Sequence, residues 1–141
     1  MEYYAQSPNA CIAYSLLQLG VVDKEAVSEY EQAVSFGMRW DRVRDWLLTY
    51  APDYWEKTED MRSWTQRDNP PGRRLPRKGR GVAVLEWSTQ GVPYHHAVSF
   101  EDGKLLDPLP EAPGIPETWA QLRRRWLEEG NSPVIIHTAR V

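Results

Sequence analysis

The only cysteine of the chain and one of its three histidines are the residue types of a nucleophilic active site. Cys11 lies 85 positions before His96, and Asp107 follows His96 after 11 positions. A cysteine attacks as its thiolate, and its general base is usually a histidine that an aspartate or asparagine orients. An acyl-transfer site also needs an N–H donor for the oxyanion, and the side-chain amide of Gln6 can provide one. Together these four residues predict acyl chemistry at Cys11.

The segment YHHAVSFEDGKLLDP, residues 94–108, predicts how His96 and Asp107 meet. Alternation along a strand places His96 on one face and His95 on the other. The Asp-Gly pair at 102–103 is typical of a tight hairpin turn, and a hairpin centred there pairs residue i with about residue 204 − i. Position 96 then lies near position 108. We therefore expect His96 and Asp107 to be neighbours, with His95 on the opposite face.

A helix is predicted to carry Cys11. Apolar residues recur at helical spacing between Ile12 and Leu19, and Gly20 is a typical helix stop. The helix then begins at residue 8 or 9, which places Cys11 in or near its first turn. Unpaired backbone amides and the helix dipole lower the pKa of a thiol at that position. The local sequence therefore favours a reactive Cys11.

Helical patterns and strand patterns occupy different parts of the chain. Two further helices are predicted near residues 23–34, with Asp23 as the N-cap, and near residues 41–50. Residues 53–66 remain open between a loop and a short helix at Glu59–Trp64. The later part is predicted to contain strands at Gly81–Trp87, Tyr94–Phe100, Lys104–Asp107 and Pro133–Thr138, and a helix at Glu117–Glu129. This order predicts one α+β domain over residues 1–141, in which N-terminal helices pack on a small antiparallel sheet.

Composition limits the class of protein. The chain is 41% hydrophobic and 26% charged, as in ordinary globular domains, and it has no apolar run of membrane-spanning length and no signal-peptide pattern. A lone cysteine cannot form an internal disulfide and suits a reducing compartment, so we expect a cytoplasmic protein. One cysteine and three scattered histidines do not resemble a zinc site. We expect neither a metal nor a cofactor.

A basic loop is predicted at residues 67–81, RDNPPGRRLPRKGRG. Three prolines and three glycines exclude a regular element there. Its candidate binding residues share a positive charge and are Arg73, Arg74, Arg77, Lys78 and Arg80. Such a segment can grip an acidic protein surface or phosphates, and binding would then depend on salt. Nucleic acid is disfavoured because the aromatic residues lie mainly on helical faces and not beside these bases.

Two blocks of this sequence resemble the papain-like cysteine peptidases, in particular the compact bacterial double-glycine-peptidase-like branch. QSPNACIAYSLLQLG resembles that branch's Gln-x4-Cys helix, and HAVSFEDGKLLDP resembles its His strand, turn and Asp-Pro. The two blocks contain 15 and 13 residues and occur in the family's chain order. The resemblance implies a papain-like fold and a Cys11, His96 and Asp107 triad with Gln6 at the oxyanion hole. It also implies a peptide or protein substrate, with hydrolysis or transfer of an amide as the reaction.

The chain departs from the branch at two positions beside the predicted triad. Ile12 follows the cysteine where glycine is usual, and His95 precedes the histidine where a small residue is usual. A second function class therefore stays open, a non-catalytic binding protein on the same fold. The small, Trp-rich and Arg-rich chain resembles phage-encoded regulators that dock on a host machine such as RNA polymerase. The partner would then present an acidic surface to the basic loop.

Overall fold

A computed structural model of the chain describes residues 1–35, 40–54 and 74–141. The predicted short helix at Glu59–Trp64 and the candidate binding residue Arg73 lie outside those residues. The described part confirms the α+β class, with helices first and an antiparallel sheet after them. Its elements are α1 (Cys11–Gln18), α2 (Lys24–Ser35), α3 (Trp40–Tyr50), β1 (Arg80–Thr89), β2 (Val92–Glu101), β3 (Lys104–Leu106), α4 (Trp119–Glu128) and β4 (Val134–Arg140).

Two tight hairpins build the sheet, whose strand order is β3-β2-β1-β4 with antiparallel pairing throughout. The two-residue turn between β1 and β2 is Gln90-Gly91, and that between β2 and β3 is Asp102-Gly103. All four turn residues have positive φ, which the type I′ hairpin turn requires. The predicted Asp-Gly turn is therefore confirmed.

The second hairpin has a register one residue away from the predicted one. Ser99 pairs with Leu106 and Glu101 with Lys104, so the paired numbers sum to 205 rather than 204. The strand also stops at Leu106, whereas Asp107 was predicted to belong to it. The two-residue turn fixes the register because no additional residue enters the loop. If the pairing continued for one more residue, position 107 would lie opposite Val98. Val98 is two residues from His96, on the same face of β2.

The two faces of the sheet carry separate apolar cores. On one face, residues such as Val84 and Ala97 pack with buried side chains of α1, α2 and α3. On the other face, Val98 and Phe100 pack with Leu122 and other buried side chains of α4. This separation follows from strand alternation, which sends successive residues of β2 to opposite sides. Residues 97 and 98 therefore belong to different layers of the domain.

Both ends of α1 are fixed by local backbone chemistry. Asn9 has φ 63°, and the N–H of Ala10 donates to the Ser7 carbonyl at 3.2 Å, as in a type II turn. At the other end, Gly20 has φ 72° and closes a Schellman motif, in which the N–H of Val21 donates to the Leu16 carbonyl at 3.0 Å. The predicted glycine stop is confirmed, and the helix begins at the cysteine.

Asp23 also caps α2 as predicted, since its carboxylate accepts the N–H of Ala26 at 2.9 Å. The basic loop ends earlier than predicted, because Arg80 already belongs to β1 and pairs with Glu101. A ten-residue pairing between β1 and β2 carries both strands beyond the apolar runs that predicted them. Within the described residues, no helix has both the length and the apolar character needed to cross a bilayer.

Candidate active site

Cys11 is the first residue of α1, where the helix meets the sheet. Its N-cap residue, Ala10, makes no side-chain capping hydrogen bond, so a capping side chain does not occupy the first helical amides. Pairing between β2 and β3 ends at Ser99, which leaves Ala97 beyond the last β3 partner. The backbone N–H groups of Ala97 and Ile12 donate to the Cys11 sulfur. The early end of β3 thus leaves room for a cysteine at the open edge of β2.

His96 lies between Cys11 and Asp107. Its ring is buried, its Nε2 lies 2.7 Å from Asp107 Oδ1, and it forms a hydrogen bond with the Cys11 thiol. A carboxylate can only accept, so Nε2 carries the proton that is donated to Asp107. Nδ1 is then the ring nitrogen that exchanges a proton with sulfur. The structure brings the predicted nucleophile, base and orienter together in one chain of hydrogen bonds.

Asp107 is buried and has more partners than the sequence suggested. It accepts from His96, from the N–H of Leu109 at 3.1 Å, and from Arg125 at 3.1 Å. Arg125 also holds Glu117 with two hydrogen bonds, of 2.7 and 3.2 Å. A buried carboxylate needs such a cation because an unpaired buried charge is costly. Arg125 therefore belongs to the site as the partner of its orienting carboxylate.

These contacts shift the pKa values of the three central groups. Burial raises the pKa of the Cys11 thiol, but the hydrogen bond and charge of His96 outweigh it and bring the pKa below the ordinary value. Burial lowers the pKa of His96, yet Asp107 and Cys11 together raise it to about 9. Burial raises the pKa of Asp107, while His96, Leu109 and Arg125 bring it below its usual range. The lowered thiol pKa and the raised imidazole pKa both favour the thiolate and imidazolium form of the Cys11–His96 pair.

The backbone of Gln6 is hydrogen-bonded to the residue that follows Asp107. Its backbone N–H donates to the carbonyl of Pro108 at 2.7 Å, which joins the N-terminal segment to the residue after Asp107. Its side-chain Nε2 has only a long bond of 3.3 Å, to the Ser7 carbonyl, and its Oε1 is buried without a hydrogen bond to any described residue. The amide is therefore weakly engaged. Its N–H groups can therefore donate to a further acceptor.

The indole ring of Trp126 packs against the imidazole ring of His96. Its ring centroid lies 5.7 Å from that of His96, and the ring of Trp87 meets its edge at 4.7 Å. Trp126 is itself buried, so this indole shields one side of the His96 ring from water. A lower local dielectric strengthens the hydrogen bond between His96 and Asp107. The sequence predicted only that Trp126 belongs to the apolar face of α4.

The two adjacent histidines have different roles. His95 lies on the opposite face from His96, is partly exposed, and has its Nε2 3.0 Å from Glu86 Oε2 on the neighbouring strand. The predicted choice of His96 as the residue near Cys11 is thus matched by the geometry. Ile12, the bulky residue after the cysteine, is buried in the core with α2 and α3. Its side chain belongs to the interior of the domain.

The four predicted basic residues that the structure describes do not all line one cavity. Arg74 and Arg77 lie in an irregular exposed segment and line the same pocket. Arg80 lies in β1 and lines a different cavity, with Tyr54 and Val141. Lys78 is exposed and lines neither of these two cavities. Arg123 and Arg124 of α4 are exposed, whereas Arg125 turns to Asp107.

A sequence signal for Arg125 exists in hindsight. It lies three residues after Leu122 and one before Trp126, the two buried residues of α4, so it borders the face that packs on the sheet. A buried Asp107 then requires a cation from a neighbouring element. Nothing local to residue 107 indicates which of the three consecutive arginines of α4 supplies it.

Comparison with protein-family models, with curated proteins and with solved structures finds no match for this chain. Within residues 1–35, 40–54 and 74–141, no three His, Cys, Asp or Glu side chains are grouped as a metal ion would need. The chemistry of the site is therefore interpreted from its own residues. Those residues are a cysteine thiol, an imidazole, a buried carboxylate and amide donors, which are the groups that nucleophilic catalysis uses.

Proposed function

We propose that the protein is a papain-like cysteine hydrolase that cleaves a peptide bond or a similar amide. One observation carries the proposal, the hydrogen-bonded chain from the partly exposed Cys11 through His96 to Asp107 at a helix N-terminus. A buried structural cysteine needs neither an adjacent histidine nor a lowered pKa. Here the thiol, the imidazole and the carboxylate are adjacent, in the order that a cysteine nucleophile, its base and an orienting group would need.

The proposed reaction begins from the thiolate and imidazolium pair. The Cys11 thiolate attacks the carbonyl carbon, and the backbone N–H of Cys11 and the Gln6 amide stabilise the oxyanion. The imidazolium of His96 gives its proton to the leaving nitrogen, and an acyl-cysteine remains. Neutral His96 then takes a proton from water, which attacks the acyl carbon and releases the acid and the thiolate. His96 ends protonated, as it began.

Asp107 and Arg125 support these proton transfers without touching the substrate. Asp107 holds His96 in the tautomer that presents Nδ1 to sulfur. Arg125 fixes the second oxygen of Asp107, and Glu117 fixes Arg125 in turn. A network in which each member has a partner restricts the rotation of the ring. The base is therefore held in place before a substrate binds.

The first test measures the reactivity of Cys11 against pH. Iodoacetamide should alkylate the folded protein rapidly at pH 7, and the rate should rise with an inflection below the ordinary thiol pKa of about 8.5. Replacing His96 removes the cation beside sulfur, so the inflection of His96→Gln should move upward. The matched control is His95→Gln, which changes the adjacent residue on the opposite face and should leave the profile unchanged.

The second test looks for the acyl intermediate. An activated ester such as p-nitrophenyl acetate should give a burst of nitrophenolate equal to the protein concentration, and Cys11→Ala should abolish it while circular dichroism stays unchanged. A folded wild-type protein that resists iodoacetamide would contradict the proposal. So would a burst that persists in Cys11→Ala. Equal alkylation profiles of the two histidine variants would remove His96 from the mechanism.

A further inference from the structure

A pocket of about 450 Å³ lies at the N-terminal part of α4. The segment before β1, the turn between β2 and β3, the first half of α4 and the start of β4 all contribute to it. Its principal lining residues are Arg74, Leu75, Arg77, Trp119, Arg123 and Ile135. The volume falls in the range of small-molecule and side-chain binding pockets. None of these residues takes part in the hydrogen-bonded chain at Cys11.

The rim of this pocket carries three cations. Arg74, Arg77 and Arg123 are exposed, and in the part of the chain that the structure describes none of them has an ion-pair partner within 4.0 Å. Arg125 of the same helix is different, because Asp107 and Glu117 bind it. The chain as a whole has a net charge of −3, so three exposed guanidinium groups around one cavity are a local excess of positive charge. Such an excess attracts an anionic ligand.

The interior of the pocket is apolar. Ile135 is buried, and Leu75 and Trp119 are partly buried against the core on the α4 side of the sheet. Pro133 and Val134 complete this side of the cavity. A ligand that satisfied only the arginines would leave this apolar surface in water. The ligand that fits both parts has negative groups beside a large apolar group.

We propose that this pocket binds an acidic peptide segment that carries large aliphatic side chains between its carboxylates. Guanidinium groups bind carboxylates through paired hydrogen bonds, which accounts for the rim. An aliphatic side chain fills the cavity between Leu75 and Ile135. Single-stranded nucleic acid fits less well, because it needs successive aromatic platforms and Trp119 is the one aromatic residue among the described residues that line the pocket. The proposal does not depend on catalysis at Cys11.

The pocket and the proposed active site share one structural element, the helix α4. Arg123 lines the pocket and Arg125 holds Asp107, so one helix borders both. The pocket would hold a protein through a segment that is not the one presented to Cys11. The same contacts would serve a partner that is not cleaved. The chemical class of the bound segment is the same in both cases.

The test uses a fluorescein-labelled hexapeptide in which four glutamates flank two leucines, and measures binding by anisotropy. Saturable binding that weakens as salt is raised is expected. The double variant Arg77→Gln/Arg123→Gln should bind at least about tenfold more weakly, since it loses two groups that form charge-assisted hydrogen bonds with the carboxylates. The matched control Arg124→Gln removes an exposed arginine of the same helix outside the pocket and should bind as wild type.

Two altered peptides test the two halves of the proposal. Replacing the glutamates by glutamines should abolish binding, and replacing the leucines by serines should weaken it at least about tenfold. Cys11→Ala should bind the acidic peptide as wild type does, which separates this site from the catalytic one. The proposal is overturned if the glutamate–leucine peptide shows no saturable binding, or if the double variant binds it equally well. Displacement by oligothymidylate of the same charge, at the peptide's concentration, would assign the pocket to nucleic acid instead.

Discussion

Arg125 is the residue whose replacement should reveal most about the buried network. It connects Asp107 and Glu117, which are 1% and 6% exposed, through hydrogen bonds of 3.1, 2.7 and 3.2 Å. Arg125→Met keeps much of the side-chain volume and removes the charge. Two buried carboxylates would then remain near one another without their shared cation. We expect a large loss of stability from this single change.

The size of the loss follows from the burial of the partners. Removing one member of a buried ion pair typically costs about 3–5 kcal/mol, because the remaining charge stays desolvated. The Arg125 side chain is 19% exposed, so solvent screens part of its interaction, and we expect the lower end, about 3 kcal/mol at pH 7. Arg124 is exposed, and Arg124→Met should change the free energy of unfolding by less than about 0.5 kcal/mol.

The loss should depend on pH in a defined direction. His96, Leu109 and Arg125 hold the folded-state pKa of Asp107 below 3.8, although burial opposes them. A carboxyl with a lowered folded pKa stabilises the fold above its unfolded pKa, and this contribution disappears as pH falls through the folded value. Arg125→Met removes one of the groups that lower the pKa of Asp107. The difference between wild type and variant should therefore be largest above about pH 5 and should shrink towards pH 3.

Urea unfolding followed by tryptophan fluorescence at several pH values measures this difference. The double variant Glu117→Gln/Arg125→Met removes one of the two unpaired carboxylates and should recover part of the lost stability. A loss at pH 7 no larger than that of Arg124→Met would refute the reasoning. A large loss that stays constant from pH 7 to pH 3 would also refute it, because packing and not charge would then be the cause.

Three further changes test contacts outside the triad. In Gly81→Ala the new Cβ would clash with the carbonyl oxygen of Ala139, so β1 and β4 must separate and the unfolding free energy should fall by more than about 3 kcal/mol. A smaller loss would show that the two strands can adjust. Thr118→Ala removes the capping box of α4 and should cost about 1 kcal/mol in urea unfolding, and no change would mean that the box is unimportant. Gln18→Leu removes the donor to Ser99 Oγ, 2.9 Å away in the buried α1–β2 contact, and should cost about 1–3 kcal/mol in the same measurement; an equally stable variant would argue against that bond.

Local rules predicted the parts of the site that depend on neighbouring residues. The Asp-Gly pair at 102–103 and the alternation of β2 placed His96 near Asp107, although the true register differs by one residue. Gly20 and the apolar spacing of α1 placed Cys11 in or near the first turn, and the helix begins at Cys11 itself, two or three residues later than predicted. These features depend on turn geometry and helical periodicity, which act over a few residues. The sequence alone is therefore sufficient to predict that Cys11, His96 and Asp107 are the candidate nucleophile, base and orienting residue.

Strand lengths and loop limits were less accurate. β1 begins at Arg80 and runs to Thr89, beyond the apolar run that marked it, because it pairs along its full length with β2. Polar residues at strand ends gain hydrogen bonds from a partner strand that no local pattern reveals. The basic loop was consequently predicted to be too long at its C-terminal end.

The sequence by itself determined the α+β class, the hairpins, and the three residues that carry the proposed chemistry. Only the tertiary structure decided that Arg125 neutralises Asp107, that Trp126 covers His96, and that Arg123 meets Arg77 around one pocket. All three contacts depend on the angle and depth at which α4 packs on the sheet. That packing arises from the combined burial of many side chains far apart in the chain, and no spacing within α4 encodes it.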